Sequence, residues 1–369
     1  MALSKIQNNS YEDTAVHGRR NLIINGAMQV WQRATAATDV GGNDVYKTAD
    51  RWVFWENTDG AFTTEQSTDV PSGEGFAYSL KAACTTADTS LAAGQFSLIG
   101  HKIEAQNLSQ LNYGTSSAKT MTISFWVKSN KTGTYCFSIE KDDETDYILI
   151  KEFSISSADT WEKKTLTITP DSNIKASAGA ITNDNGIGFR LLWALALGTT
   201  YNAGSDDGTW TTSTHFGTTN QVNWMDSTSN NFYLTGVQLE VGDIATPFEH
   251  EDYGTTLHKC QRYLYRTSGG GGTNAPNHLV GGQAYNATTV GHCSVHFPAI
   301  MRAKPTFSTS GLYAWNSVTH AITSTVANNC SIEVGTVNLG VASGLTTNRG
   351  YVILTASNGV GYVEFDAEL

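Results

Sequence analysis

Met121-Thr-Ile-Ser-Phe-Trp-Val-Lys128 alternates between two kinds of side chain. Met121, Ile123, Phe125 and Val127 fall on one face, and Thr122, Ser124, Trp126 and Lys128 on the other. That period of two marks a strand with one face on a core. Thr165-Leu-Thr-Ile-Thr169 alternates in the same way. The stretches Tyr135 to Ile139, Tyr147 to Ile155, Phe189 to Leu197 and Phe232 to Glu240 are further apolar runs of strand length. Gly, Asn and Asp fill the gaps between them, as turns require. So many short strands within residues 21–250 predict a mainly β chain whose first domain is a jelly-roll β-sandwich.

The pattern changes at residue 251. Tyr253, Leu257, Cys260, Gln261 and Leu264 recur at helical spacing, with Arg262 and Arg266 near the C-terminal end, where cations suit the helix dipole. A short linking α-helix is expected over 251–266. Gly269 to Gly272 then form a hinge, because four consecutive glycines cannot hold a helix. Helix and hinge together occupy 251–272. Strand patterns return at Thr289 to Phe297, Ser331 to Leu339, Gly350 to Thr355 and Gly361 to Leu369. Residues 273–369 are therefore expected to form a smaller C-terminal β-sandwich. Residues 1–20 are polar, end in Arg19-Arg20 and lack a core pattern, which suits an attachment arm ordered by something else.

The 369 residues carry 23 Lys+Arg against 34 Asp+Glu, a net charge of −11. There is no basic stripe for phosphates, so nucleic acid is not an expected partner. The longest apolar run, Leu191 to Leu197, is far short of the ~20 residues a membrane helix needs. Met1 to Asp13 has no apolar stretch of the secretory-signal kind. The five cysteines are scattered without metal or redox spacing and read as reduced thiols.

Catalytic motifs are not found. No Gly-x-Ser-x-Gly elbow occurs, and no Lys-Ser/Thr follows Gly269 to Gly272 as a phosphate loop would need. His292 and His296 share a strand face but stand roughly 13 Å apart by strand rise, too far for one metal within a chain. Asp142, Asp143, Glu144 and Asp146 form the densest acidic patch, between two predicted strands. The alternatives there are a solvated hairpin, a structural calcium site or one member of a glycosidase pair. No other cofactor is expected.

Nine tryptophans are generous. Trp31, Trp126, Trp161 and Trp193 lie in or beside predicted strands, where core or sheet-face packing accounts for them. Trp210 and Trp224 lie instead in a Gly, Asn, Ser and Thr-rich stretch, 201–231. With Tyr201, and with Asn202, Asp206, Asp207 and Asn223 nearby, they could stack on the C–H faces of a sugar while polar groups bond its hydroxyls. The alternative is that these rings anchor the loop to the sandwich or to a neighbouring subunit. Tyr313 and Trp315 form a similar pair in the last domain.

Asn21-Leu-Ile-Ile-Asn-Gly-Ala-Met-Gln-Val-Trp-Gln-Arg33 followed by Ala49-Asp-Arg-Trp52 resembles the start of phage tail-fibre proteins that carry a carbohydrate-binding-module-like jelly roll. Val237-Gln-Leu-Glu-Val-Gly-Asp-Ile-Ala-Thr-Pro-Phe-Glu249, with Cys260-Gln-Arg-Tyr263, resembles the end of that module. Phe297-Pro-Ala-Ile-Met-Arg-Ala-Lys-Pro305 and the closing Asp366-Ala-Glu-Leu369 resemble the C-terminal β domain of such proteins, and Met1-Ala-Leu-Ser-Lys-Ile6 resembles their short virion-binding leaders. The resemblance leaves most of 55–230 and 306–360 unmatched. It implies a non-enzymatic virion protein: a homotrimeric tail fibre attached to the phage tail or an adaptor through residues 1–20, binding a host-surface glycan. Two alternatives stay open, a capsid-decorating or fibre-connecting protein and a glycan depolymerase acting through carboxylates such as Asp143 or Asp207.

Overall fold

The computed structural model describes residues 20–38, 41–268, 278–355 and 361–369. The expected arm, apart from Arg20, and the Gly269 to Gly272 hinge lie outside the described residues. The chain divides between Tyr253 and Gly254 into two compact units.

The first unit is built from β1 (Ala36–Ala37), β2 (Gly42–Val45), β3 (Trp52–Glu56), β4 (Ala61–Ser67), β5 (Ser79–Thr86), β6 (Phe96–Glu104), β7 (Met121–Ser129), β8 (Gly133–Lys141), β9 (Tyr147–Ile155), β10 (Glu162–Ile168), α1 (Ser172–Lys175), β11 (Ile187–Leu197) and β12 (Asn231–Val241). These strands form two six-stranded sheets, ordered β1-β4-β5-β12-β7-β10 and β2-β3-β6-β11-β8-β9, here the front and back sheets. Strand pairing is antiparallel throughout. This is the jelly-roll sandwich expected from the alternation, and the apolar face of β7 is the one in the core, although Thr122, Ser124 and Lys128 on its other face are buried as well. Met121, Ile123, Phe125 and Val127 are fully buried in the core between the sheets, whereas Trp126 is only half-buried. From the back sheet, Trp52, Phe137 and Trp193 enter the same core, and Phe125 meets Trp193 edge-on with ring centroids 5.6 Å apart.

The conspicuous N-terminal stretch is scaffold. Asn25 is buried, adopts a left-handed backbone (φ 61°), and its Oδ1 accepts from the backbone N–H of Gln29 and Val30 at 2.8 and 3.0 Å. The residue after it must be glycine, because a Cβ at Gly26 would sit 2.1 Å from the Val237 carbonyl oxygen. Trp52 Nε1 donates to the Asn25 carbonyl at 3.2 Å.

The second unit holds α2 (Tyr253–Gln261, its first residue at the division), β13 (Leu264–Ser268), β14 (His278–Asn286), β15 (Thr289–His296), β16 (Thr306–Ser310), β17 (Leu312–Trp315), β18 (Thr319–Asn328), β19 (Val334–Val341), β20 (Gly350–Thr355) and β21 (Tyr362–Asp366). Two expectations are corrected here. The helix stops at Gln261 and does not reach 266, because Leu264 to Ser268 pair with β21 in register Leu264↔Asp366 to Ser268↔Tyr362. Arg266 thereby serves a sheet and not a helix end: it meets Glu364 at 3.4 Å and lies 3.7 Å over the Tyr362 ring. The C-terminal sandwich is instead a closed barrel, β14-β15-β19-β18-β17-β20, with a separate three-stranded sheet, β13-β21-β16. Irregular registers along β14, β15, β18 and β19 supply the coiling that closure needs. Closure also removes the free edges that an open sandwich would leave.

Candidate functional site

The outer surface of the back sheet carries a second apolar layer. Leu98, Cys136, Ile150, Leu192, Ala194 and Leu197 are buried there beneath Trp55, Phe96, Tyr201 and Phe216, which are half-buried. Trp55 and Phe96 come from β3 and β6, and Tyr201 and Phe216 from the loop between β11 and β12. Tyr201 and Phe216 stack at 5.2 Å with 16° between their planes, and Phe96 meets Tyr201 edge-on at 5.1 Å. Trp55 lies over Gly100, where a Cβ would fall 2.4 Å from Trp55 Cζ3.

This loop encloses a pocket of about 190 Å³ against the edge strand β9. Ile148 and Ile150 line it from the strand; Ala203, Gly204, Ser205, Thr209, Thr211, Ser213 and His215 line it from the loop. The backbone is pinned at several points. Thr211 exchanges two hydrogen bonds with Ile148, at 2.8 and 2.9 Å, so it extends the sheet edge by one residue. Gly204 donates to the Gly217 carbonyl at 3.0 Å, and its missing Cβ makes room for Ile150, whose Cδ1 would be 2.3 Å away. Asp206 accepts from Lys151 Nζ at 2.9 Å and from the Glu152 N–H at 3.0 Å. Asp207 closes its own turn on the Thr209 N–H and Ser205 Oγ, each at 2.9 Å, and the Thr209 bond leads in holding its carboxyl below the usual range. The product is a small, fixed hollow with two isoleucines at the sheet and hydroxyls and an imidazole from the loop. It can hold an uncharged group that has both an apolar side and hydroxyls.

The structure sorts the five sequence-derived site residues. Tyr201 sits in this loop, but its ring stacks on Phe216 and does not line the pocket. Trp210 belongs to the same loop, but its ring is completely buried in the sandwich core, meeting Tyr113 edge-on at 6.1 Å. Trp210 Nε1 donates to the Thr169 carbonyl at 3.2 Å, and its own N–H and C=O bond Asp171 and Asn173. Trp224 is equally buried, edge-on to Phe62 at 5.9 Å. A ring with no exposed face cannot stack on a sugar, so the anchoring alternative describes both tryptophans. Asn223 is occupied as well: it accepts from the Met225 N–H and donates to the Asp88 carbonyl. In the second unit Tyr313 is half-buried, and Trp315, 42% exposed, presents its ring to solvent. What sequence reasoning passed over is the hydroxyl-rich run Ser205 to His215; its available signal was the two glycines, Gly204 and Gly217, that let a polar loop lie close against a sheet.

The acidic hairpin between β8 and β9 is met by the chain's own cations. Arg190 bridges Glu140 at 2.9 Å and Asp142 at 2.6 Å. Burial pushes the Asp142 carboxyl up to about 7, against the pull of Arg190 and with the push of Glu140. The fully buried Lys141 donates to the carbonyls of Asp143 and Ala180. The Asp143 carboxylate accepts from the Thr182 N–H at 3.1 Å. Among the described residues, no group of three or more His, Cys, Asp or Glu is arranged to hold a metal ion. His292 bonds the Tyr285 hydroxyl at 2.9 Å. No helix among the described residues is long and apolar enough to cross a membrane.

No family model matches the chain, and no curated protein matches it. Solved structures with some likeness include an enzymatically active domain of a tailspike protein from bacteriophage CBA120, at 12% identity and a TM-score of 0.31, with 60% of this chain and 22% of that one covered. The chain therefore spans about a fifth of that structure's length. A putative sugar binding protein from Bacteroides thetaiotaomicron has 14% identity and a TM-score of 0.32, covering 60% of this chain and all of that one. A family 11 carbohydrate-binding module from Clostridium thermocellum, solved with a mixed-linked tetrasaccharide, has 12% identity and a TM-score of 0.29, covering 57% and 98%. At this level of likeness nothing about a ligand passes from those proteins to this chain.

Proposed function

We propose that this protein is a non-catalytic glycan-binding component of a phage virion, a homotrimeric tail fibre held to the tail or an adaptor by residues 1–20. The observation that carries glycan binding is the pocket over β9. Sugars are amphipathic, with C–H faces and hydroxyl edges. Ile148 and Ile150 match the first; Ser205, Thr209, Thr211, Ser213 and His215 match the second. The virion assignment rests on the resemblance of the N-terminal stretch, the β12 exit and the closing strand to tail-fibre sequences. Trp315, exposed in the second unit, supplies a second place for a sugar ring to stack. Single sugar sites bind weakly, and three copies on one trimer raise avidity without any new contact.

The test is adsorption of the purified full chain to host cells, with binding to a printed oligosaccharide array alongside. His215→Ala with Ser213→Ala is expected to weaken saccharide binding about tenfold, the loss of one to two hydrogen bonds. Unchanged binding in that variant, with loss in Trp315→Ala, would move recognition to the barrel. Release of reducing ends from a bound polysaccharide would overturn the non-catalytic reading.

A further inference from the structure

The outer face of the front sheet departs from the usual polar face of an antiparallel sandwich. Side chains on three neighbouring strands form a cross-strand row: Lys81 on β5 faces Tyr233 on β12, and Tyr233 faces Lys128 on β7. Lys128 Nζ stands 4.3 Å from the Tyr233 ring centroid and 5.5 Å from that of Trp161, just before β10. Trp161 and Tyr233 meet edge-on at 6.0 Å. Asp69 locks this group, pairing with Lys128 and accepting from Trp161 Nε1 at 2.9 Å. A third ring, Trp126, faces Thr235 in the next register position. It lies against Gly236, whose left-handed backbone and missing side chain leave room for it and for the buried Phe76 beside it.

Three large half-buried rings, each fixed in place, are more than a solvent face needs. Lys81 pairs with Glu65 at 2.6 Å and Lys128 with Asp69; the exposed Lys163, which faces Trp126 in register, and Asp159, whose charge acts on Tyr233, add one charge of each sign, so the charges around the rings sum to zero. The carboxylates of Glu65 and Asp69 nevertheless stay 45% exposed and keep accepting capacity toward solvent. A second protein surface would have to bury those carboxylates, at a large desolvation cost. A hydroxyl-rich ligand would supply the donors instead. We infer that the face around Trp126, Trp161 and Tyr233 is a second saccharide site, on the opposite side of the sandwich from the β9 pocket, and that it takes an uncharged sugar whose C–H faces lie on the rings while its hydroxyls donate to Asp69 and Glu65. This inference rests on the glycan-binding reading above. It makes the first unit alone bivalent, so a trimer could bridge neighbouring chains of a polysaccharide.

The experiment is equilibrium titration of the full chain with the neutral oligosaccharide that binds best on a printed array of neutral and acidic oligosaccharides. Trp161→Ala is expected to reduce the number of saccharides bound per chain by one. Tyr233→Leu, which keeps an apolar side chain but removes the ring, is expected to weaken that site several-fold. His215→Ala with Ser213→Ala weakens the β9 pocket's site separately, by about tenfold. Affinity at the new site should change less than about twofold between low and high salt, as for an uncharged ligand. A folded Trp161→Ala protein with unchanged stoichiometry overturns the inference and leaves the pocket reading standing. Loss in Trp161→Ala with no loss in the pocket variant supports the inference and overturns the pocket. A site at these rings that takes only acidic oligosaccharides, with steep salt dependence, also overturns it. A wild-type chain that binds no oligosaccharide overturns both.

Discussion

Replacing Trp210 separates a loop anchor from a sugar platform. In the structure its indole is wholly buried, packed on Tyr113 and bonded through Nε1 to Thr169. A tryptophan buries roughly 150–250 Å². At about 25 cal/mol per Å² that is about 4–6 kcal/mol, close to the 3–5 kcal/mol typical of large aromatic-to-alanine changes. The orphaned Thr169 carbonyl adds about 1 kcal/mol. Trp210→Ala should therefore destabilise the first unit by about 4–6 kcal/mol. With a urea slope of about 3 kcal/mol/M, its midpoint falls by about 1.3–2 M. The assay is urea unfolding followed by pulsed thiol labelling and mass spectrometry. Cys84 and Cys136 report the first unit, while Cys293 and Cys330 report the second. Only the first pair should become reactive at lower urea. Saccharide binding at the β9 pocket should fall as well, because the loop that lines it loses its anchor. If Trp210→Ala abolishes binding with both midpoints unchanged, the ring contacts ligand and the buried assignment is wrong.

Other expectations are as direct. Ellman's reagent should find almost none of the five thiols in the native protein and all five in denaturant, because all are buried and burial pushes Cys84 up to about 11 and Cys293 to about 12; rapid native labelling would contradict this. Gly100→Ala should cost about 1–3 kcal/mol, since the new Cβ would lie 2.4 Å from Trp55 Cζ3 and 2.8 Å from the Leu191 carbonyl oxygen; an unchanged urea midpoint would refute that contact. Asp142, whose carboxyl is raised from 3.8 to about 7, holds its proton in the folded state across a range where the unfolded chain has released it. Its contribution therefore declines as pH rises from about 4 to 7, by at most about 4 kcal/mol at 1.36 kcal/mol per unit. Asp142→Asn should flatten that part of the stability profile, and an identical profile in the variant would refute the assignment. Trp315→Ala should change stability by less than about 0.5 kcal/mol, as for an exposed ring, and a larger shift in the urea midpoint would show that the ring is packed.

Strand parity explains both what was legible in this sequence and what was not. On a strand, the neighbours of a residue declare its face: Phe125 and Val127 point Trp126 outward, and Phe232 and Leu234 do the same for Tyr233. The sandwich, its core and its outer aromatic face follow from that local rule. Leu264 to Ser268 escaped it because their fate is set by pairing with Tyr362 to Asp366, about a hundred residues away, while their local spacing fits a helix. The barrel escaped for the same reason: closure depends on β20 pairing with both β14 and β17, and no local pattern says which edges meet. Trp210 and Trp224 lie where parity is silent. In a Gly, Ser and Thr loop a lone indole reads the same whether it plugs the core or faces solvent, and only the placement of Thr169 and Asp171 beside it decides. In a β protein of this kind, a ligand-facing ring can thus be argued from sequence when it sits on a strand beside core residues. The same argument fails in a loop, which is why Tyr233 and Trp126 are better evidence for a binding face than Trp210 could be.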